Sequence, residues 1–132
     1  MARYPAVLRR SWIGWREGGV PRCLPACLLD LAQGGCRAEV LEHPGPCRPV
    51  VLRLDGELLP HWFEARLTEC APAPIAGHFR LRLTFPGGCP YPLFMAVVYG
   101  RATIDVARHV PDLPAWVYPE PAREPFPRFC RR

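Results

Sequence analysis

Eighteen prolines in a chain of 132 residues cut it into short pieces, and any fold has to be assembled from them. Proline lacks the backbone N–H and fixes φ, so it interrupts helices and is confined to the edges, ends and turns of sheets. Between these breaks the residues alternate apolar and polar with the period of two that half-buried strands require. The clearest piece is Phe79-Arg-Leu-Arg-Leu-Thr-Phe85. Phe79, Leu81, Leu83 and Phe85 face one way, while Arg80, Arg82 and Thr84 face the other.

The same reading places five more strands. Residues 8–16 form a first one, closed by Gly18-Gly19 and Pro21. Residues 28–41 read as a hairpin. Before its turn Leu29 and Leu31 share one face and Leu28 and Asp30 the other; after it Cys36, Ala38 and Val40 alternate with Arg37 and Glu39. Gly34-Gly35 supplies the positive φ that a tight reversal uses. His43-Pro-Gly-Pro-Cys47 is a turn. Val50, Leu52 and Leu54 alternate with Val51, Arg53 and Asp55, and Asp55-Gly56 is a hairpin dipeptide. Phe63, Ala65 and Leu67 oppose Trp62, Glu64 and Arg66, and Ala71-Pro-Ala-Pro74 breaks that strand.

After Pro86-Gly-Gly88 the period changes. Pro92 fits the first helical position, and Leu93, Ala96, Val97 and Gly100 share one helix face. Six short strands followed by one helix predict a mainly all-β domain over residues 1–106, a six-stranded antiparallel barrel closed by a short C-terminal helix. Residues 107–132 lack periodicity and hold six prolines and five arginines among Trp116, Tyr118, Phe126 and Phe129. Such a tail cannot build a core of its own; it is either disordered or lays its aromatics on the barrel, and it also suits a partner-binding arm.

The chain has room for one modest core, which favours a binding module over an enzyme. All 17 basic residues are arginines, and the formal charge of +5 favours an anionic partner such as a nucleotide, a nucleic acid or a membrane surface. The arginines are spread along the chain, as solvated strand faces and a basic tail would have them. Seven cysteines, an odd number, with no segment shaped like a signal peptide, fit reduced thiols in the cytoplasm better than a framework of disulfides. The longest apolar run, Leu93–Tyr99, has seven residues, against the roughly 18–20 needed to span a bilayer.

Within the hairpin, Asp30-Leu-Ala-Gln-Gly-Gly35 resembles the second signature of PilZ domains, D/N-x-S-x-x-G: Asp30 and Gly35 match, and Ala32 stands where that signature has serine. The first signature, R-x-x-x-R, belongs upstream, where Arg9 and Arg10 lie with Ile13 and Gly14 four positions beyond them. The resemblance implies a PilZ-like barrel that binds the bacterial second messenger cyclic di-GMP and signals to a partner protein through a conformational change. It equally admits a relative that has lost the nucleotide and works as a protein-interaction adaptor, as one chain or as a homodimer. A cyclic dinucleotide calls for guanidinium groups to meet phosphate and guanine O6 and N7, and for an acceptor facing the guanine N1–H and N2–H edge. Arg9 and Arg10 fit the first role, Asp30 the second, and Gly35 allows close approach to the backbone.

Cys23-x3-Cys27 followed by His43-x3-Cys47 resembles the spacing of a structural zinc site, although small buried thiols explain the cysteines equally well. No metal or other cofactor is expected on balance. Sequence patterns of catalysis are missing: no G-x-S-x-G, H-E-x-x-H, phosphate-binding glycine loop or C-x-x-C occurs. Binding to nucleic acid through arginines and tryptophans would be sequence-independent and steeply salt-dependent.

Overall fold

The computed structural model describes residues 2–101 and Cys130. Seven strands and one helix follow in order: β1 (Tyr4–Pro5), β2 (Arg10–Glu17), β3 (Val20–Leu31), β4 (Gly35–Val40), β5 (Pro49–Leu54), β6 (Phe63–Pro72), β7 (Phe79–Thr84) and α1 (Tyr91–Tyr99). All pairings are antiparallel. The order β3-β2-β5-β6-β7-β4 closes on itself through β3–β4, giving the expected six-stranded barrel, and β1 lies outside it against the end of β3. The tail over residues 107–132 lies outside the described residues except for Cys130.

Inward-facing residues of each strand fill the interior. Ile13, Leu24, Ala26, Leu28, Val40, Leu52, Leu54, Phe63, Leu67, Leu81 and Leu83 belong to one buried cluster. The helix seals one end with Leu93, Ala96 and Val97, all fully buried. Burying one such leucine contributes roughly 2 kcal/mol. The carbonyl of Val97 accepts the N–H groups of Val7 and Leu8 at 2.7 and 3.1 Å, so the segment after β1 is tied to the helix. α1 begins at Tyr91, one residue ahead of Pro92, and ends at Gly100 in the left-handed conformation, φ 64°, with its N–H on the Ala96 carbonyl at 2.9 Å. Outside the barrel, Trp12, Val51 and Trp62 form a second buried cluster with Cys23 packed against it.

Several sequence expectations change in register. Pro21 does not end a strand, because Gly18 and Gly19 (φ 57° and 82°) make a tight turn and β3 starts at once at Val20. Pro21 and Pro25 are tolerated because that part of β3 pairs with β2 alone, and a missing N–H on the open edge costs no ladder bond. Leu28 and Leu31 both face the core, against the expected alternation, because the register with β4 shifts between Leu28 and Asp30 and leaves Leu29 as the extra residue of a bulge. Neither Gly34 nor Gly35 uses positive φ. The hairpin is closed instead by reciprocal Ala32 and Gly35 backbone bonds of 2.8 and 3.3 Å. Asp55-Gly56 opens a longer connection over residues 55–62: the Asp55 N–H bonds the Arg10 carbonyl at 2.9 Å and its carboxylate accepts the Trp12 indole N–H at 3.2 Å, both partners on β2. β6 runs on to Pro72, which lies opposite Phe79 at the end of its ladder.

Candidate functional site

The bulge at Leu29 decides where Asp30 goes. With one residue inserted, Leu28 and Leu31 stay in the core and Asp30 turns outward directly opposite Arg37 on β4, with Pro5 of β1 on its other side. Arg3, just ahead of β1, reaches the same carboxylate. Its Nη1 donates to Asp30 Oδ1 at 2.9 Å, while Arg37 Nε donates to Oδ2 at 2.7 Å and Arg37 Nη2 to that same oxygen. The Asp30 side chain is 10% exposed, the Arg3 and Arg37 side chains 41% and 44%. One acid thus holds two half-exposed guanidiniums at the rim, and the cluster carries net charge +1. Burial alone would push the Asp30 carboxyl up, but hydrogen bonding and charge from Arg37, with the charge of Arg3, outweigh it and hold it below the usual carboxylate value. The same bond to Asp30 raises the Arg37 pKa.

Arg9 and Arg10 are placed elsewhere. Arg9 Nε donates to the Leu28 carbonyl at 3.4 Å, and Arg10 Nε to the Cys130 carbonyl at 3.2 Å. Both line a cleft of about 220 Å³ with Leu8, Asp55 and Glu57, two acids that offset the two arginines. The guanidiniums that the structure brings to Asp30 are therefore those of Arg3 and Arg37. Gly35 allows a close approach, and the group that approaches is the Leu83 carbonyl of β7, which occupies the place a Cβ would take. Ala32 is buried at the hairpin turn.

Beside the hairpin lies a cleft of about 320 Å³ lined by Ala2, Tyr4, Gln33, Cys89, Tyr91 and Phe94, with Tyr4 edge-on to Phe94 at 5.2 Å. It begins at the two neighbours of Arg3. Aromatic faces with an amide at the edge suit a planar heterocycle.

On the wall, Arg10, Cys27, Glu39 and Arg80 form one cross-strand row over β2, β3, β4 and β7. Glu39 is buried and its two oxygens meet His78 Nδ1 at 2.8 Å and Arg80 Nε at 3.2 Å. The four suspected zinc ligands do not converge: Cys27 is buried in this row, Cys23 packs beside Trp12, His43 accepts the Gly45 N–H at 3.0 Å, and Cys47 is exposed. Among the described residues no group of three or more His, Cys, Asp or Glu is placed to hold a metal ion, and no helix is long and apolar enough to cross a membrane.

Arg37 was within reach of sequence reasoning, because a turn centred on residues 33–34 makes it the mirror position of Asp30. Arg3 carried no such signal. Comparison with protein-family profiles, with curated proteins and with solved structures gave no match.

Proposed function

We propose that this chain is a PilZ-like receptor module for cyclic di-GMP, without chemistry of its own, which passes the binding event to a partner protein through a change at its surface. The observation that supports this most directly is the rim cluster, an outward carboxylate at the hairpin of a closed barrel held by two half-exposed arginines. Phosphate competes for Arg3 and Arg37 with bidentate, charge-assisted bonds, and the carboxylate so released faces the guanine N1–H and N2–H edge. Arg3 is the arginine most suited to move, since it belongs to the short segment ahead of β1. Its transfer from Asp30 to a phosphate is the switch, and the surface around β1 is what a partner would read.

A second reading, an adaptor that binds no nucleotide, is favoured by three details. Both Asp30 oxygens already have guanidinium partners, Ala32 offers no hydroxyl, and the open side of Gly35 is filled by the Leu83 carbonyl. Losing two charge-assisted contacts, each worth about 1.5–3 kcal/mol, weakens binding about a hundredfold or more.

Calorimetric titration of the purified chain with cyclic di-GMP separates the two. The receptor reading expects heat that is lost in Asp30→Ala and in Arg3→Ala and largely kept in the Arg9→Ala/Arg10→Ala double variant. No heat from the wild type at high micromolar nucleotide would establish the adaptor instead.

A further inference from the structure

Cys27 and Cys130 are brought together from opposite ends of the chain. Cys27 faces outward on β3 yet is fully buried, and Cys130 is buried too. The Cys130 backbone is fixed by Arg10, whose Nε donates to its carbonyl at 3.2 Å, and Arg10 is the residue directly across the β2–β3 ladder from Cys27. The Cys27 and Cys130 thiols interact by a side-chain hydrogen bond. A disulfide between them requires Cα atoms within about 7 Å of each other. Arg9 completes the setting: its guanidinium also hydrogen-bonds the Cys27 sulfur while donating to the Leu28 carbonyl.

We propose that Cys27 and Cys130 are a redox pair, oxidised by a small peroxide to a disulfide that fixes residue 130 to the barrel wall beside Arg9 and Arg10. Cys27 is the attacking group. The Cys130 hydrogen bond, followed by the charge and hydrogen bond of Arg9, outweighs burial and the charge of Glu39 and leaves the Cys27 thiol more acidic than an ordinary one. Burial has the opposite result elsewhere, pushing Cys89 up to about 12 and raising Cys36 and Cys70. The Cys27 thiolate attacks one peroxide oxygen, the O–O bond breaks, and hydroxide leaves and is protonated to water, giving a sulfenic acid. The Cys130 sulfur then attacks the Cys27 sulfur. The S–S bond forms, the S–O bond breaks, and the hydroxyl leaves as water with the proton of Cys130. The two sulfurs give up two electrons, which reduce one peroxide to two waters. Burial of both thiols selects for an oxidant of this size over a bulky disulfide. The proposal does not depend on nucleotide binding.

The test uses the reduced full chain, treated with graded hydrogen peroxide, alkylated, and examined by intact mass and peptide mapping. The expected product has lost two hydrogens and two alkylation sites, joins the Cys27 peptide to the Cys130 peptide, and reverts with dithiothreitol. In Cys130→Ser the link is absent and Cys27 is trapped by dimedone as the sulfenic acid. In Arg9→Ala, with folding checked by circular dichroism, oxidation is roughly tenfold slower, the loss of thiolate that one pKa unit brings. The proposal is overturned if Cys130 is still alkylated at a peroxide dose that oxidises the exposed Cys47, if the mapped partner of Cys27 is another cysteine, or if Arg9→Ala reacts at the wild-type rate.

Discussion

Replacing Asp30 by asparagine keeps the shape of the side chain and removes the charge that Arg3 and Arg37 share. An exposed ion pair contributes about 0.2–1 kcal/mol, and a hydrogen bond to a charged group about 1.5–3 kcal/mol. Asp30 is nearly buried while its partners are almost half exposed, so each pair falls between those limits, near 1 kcal/mol after solvent screening. Asparagine still offers one acceptor, which leaves a loss of about 1–2 kcal/mol, or about 4–8 °C in melting temperature at roughly 4 °C per kcal/mol. The effect has a defined pH window. The folded-state pKa of Asp30 is depressed below its unfolded value, so the carboxylate stabilises the fold fully above about pH 4 and that stabilisation is lost as pH falls through the folded value. Thermal melts of wild type and Asp30→Asn, followed by circular dichroism from about pH 7 to about pH 2.5, should show a constant gap that closes at the acid end. A gap under about 1 °C at neutral pH, or one that stays open in acid, would refute the assignment of Asp30 as the charged hub of this cluster.

Three further substitutions probe the frame around it. Gly35→Ala sets a methyl against the Leu83 carbonyl and forces β4 and β7 apart, at a cost of about 2–4 kcal/mol in urea unfolding; a loss below about 1 kcal/mol would contradict that packing. Leu28→Ala should cost about 3–4 kcal/mol and Leu29→Ala less than about 1 kcal/mol, because the bulge leaves the first in the core and the second out of it; equal costs would mean there is no bulge. Glu39→Ala strips the shared acceptor from His78 and Arg80 and should lower stability by about 2 kcal/mol, whereas an unchanged urea midpoint would show that the buried carboxylate adds nothing net.

Where a strand has one face on the core and carries no inserted residue of its own, its letters suffice. Phe79 to Phe85 is such a strand, flanked by β4 and β6, and the inward positions Leu81 and Leu83 are those the alternation names. The helix was legible for the same reason, since Leu93, Ala96 and Val97 recur at the spacing of one face and Gly100 closes it. Alternation fails in the strand that holds the inserted residue. In β3 the inserted Leu29 changes the phase, so a strict period of two assigns Leu28 to the wrong side. Asp55-Gly56 misleads because hairpin propensity is local, while Asp55 bonds to Arg10 and Trp12 of β2, far off in the chain. Proximity to the motif pairs Arg9 and Arg10 with Asp30, whereas their contacts, to Leu28 and to Cys130, are long-range and invisible in the letters.

The same irregularity that defeats the pattern creates the candidate site. An acid next to a fully apolar run would, in a regular strand, alternate with its neighbours, and holding Asp30 outward would turn Leu28 away from the core with it. One extra residue removes the conflict: both leucines are buried in the core, and the carboxylate between them turns to the outer face opposite Arg37. β1 completes the arrangement with only two residues, enough to fix Tyr4 on Leu31 and Pro5 on Asp30 and so to deliver Arg3. A two-residue strand has no period to detect, and it contributes few ladder bonds of its own. The arginine that reaches Asp30 from outside the barrel is therefore carried by its most weakly held strand, which is where a ligand-driven exchange of partners would cost the fold least.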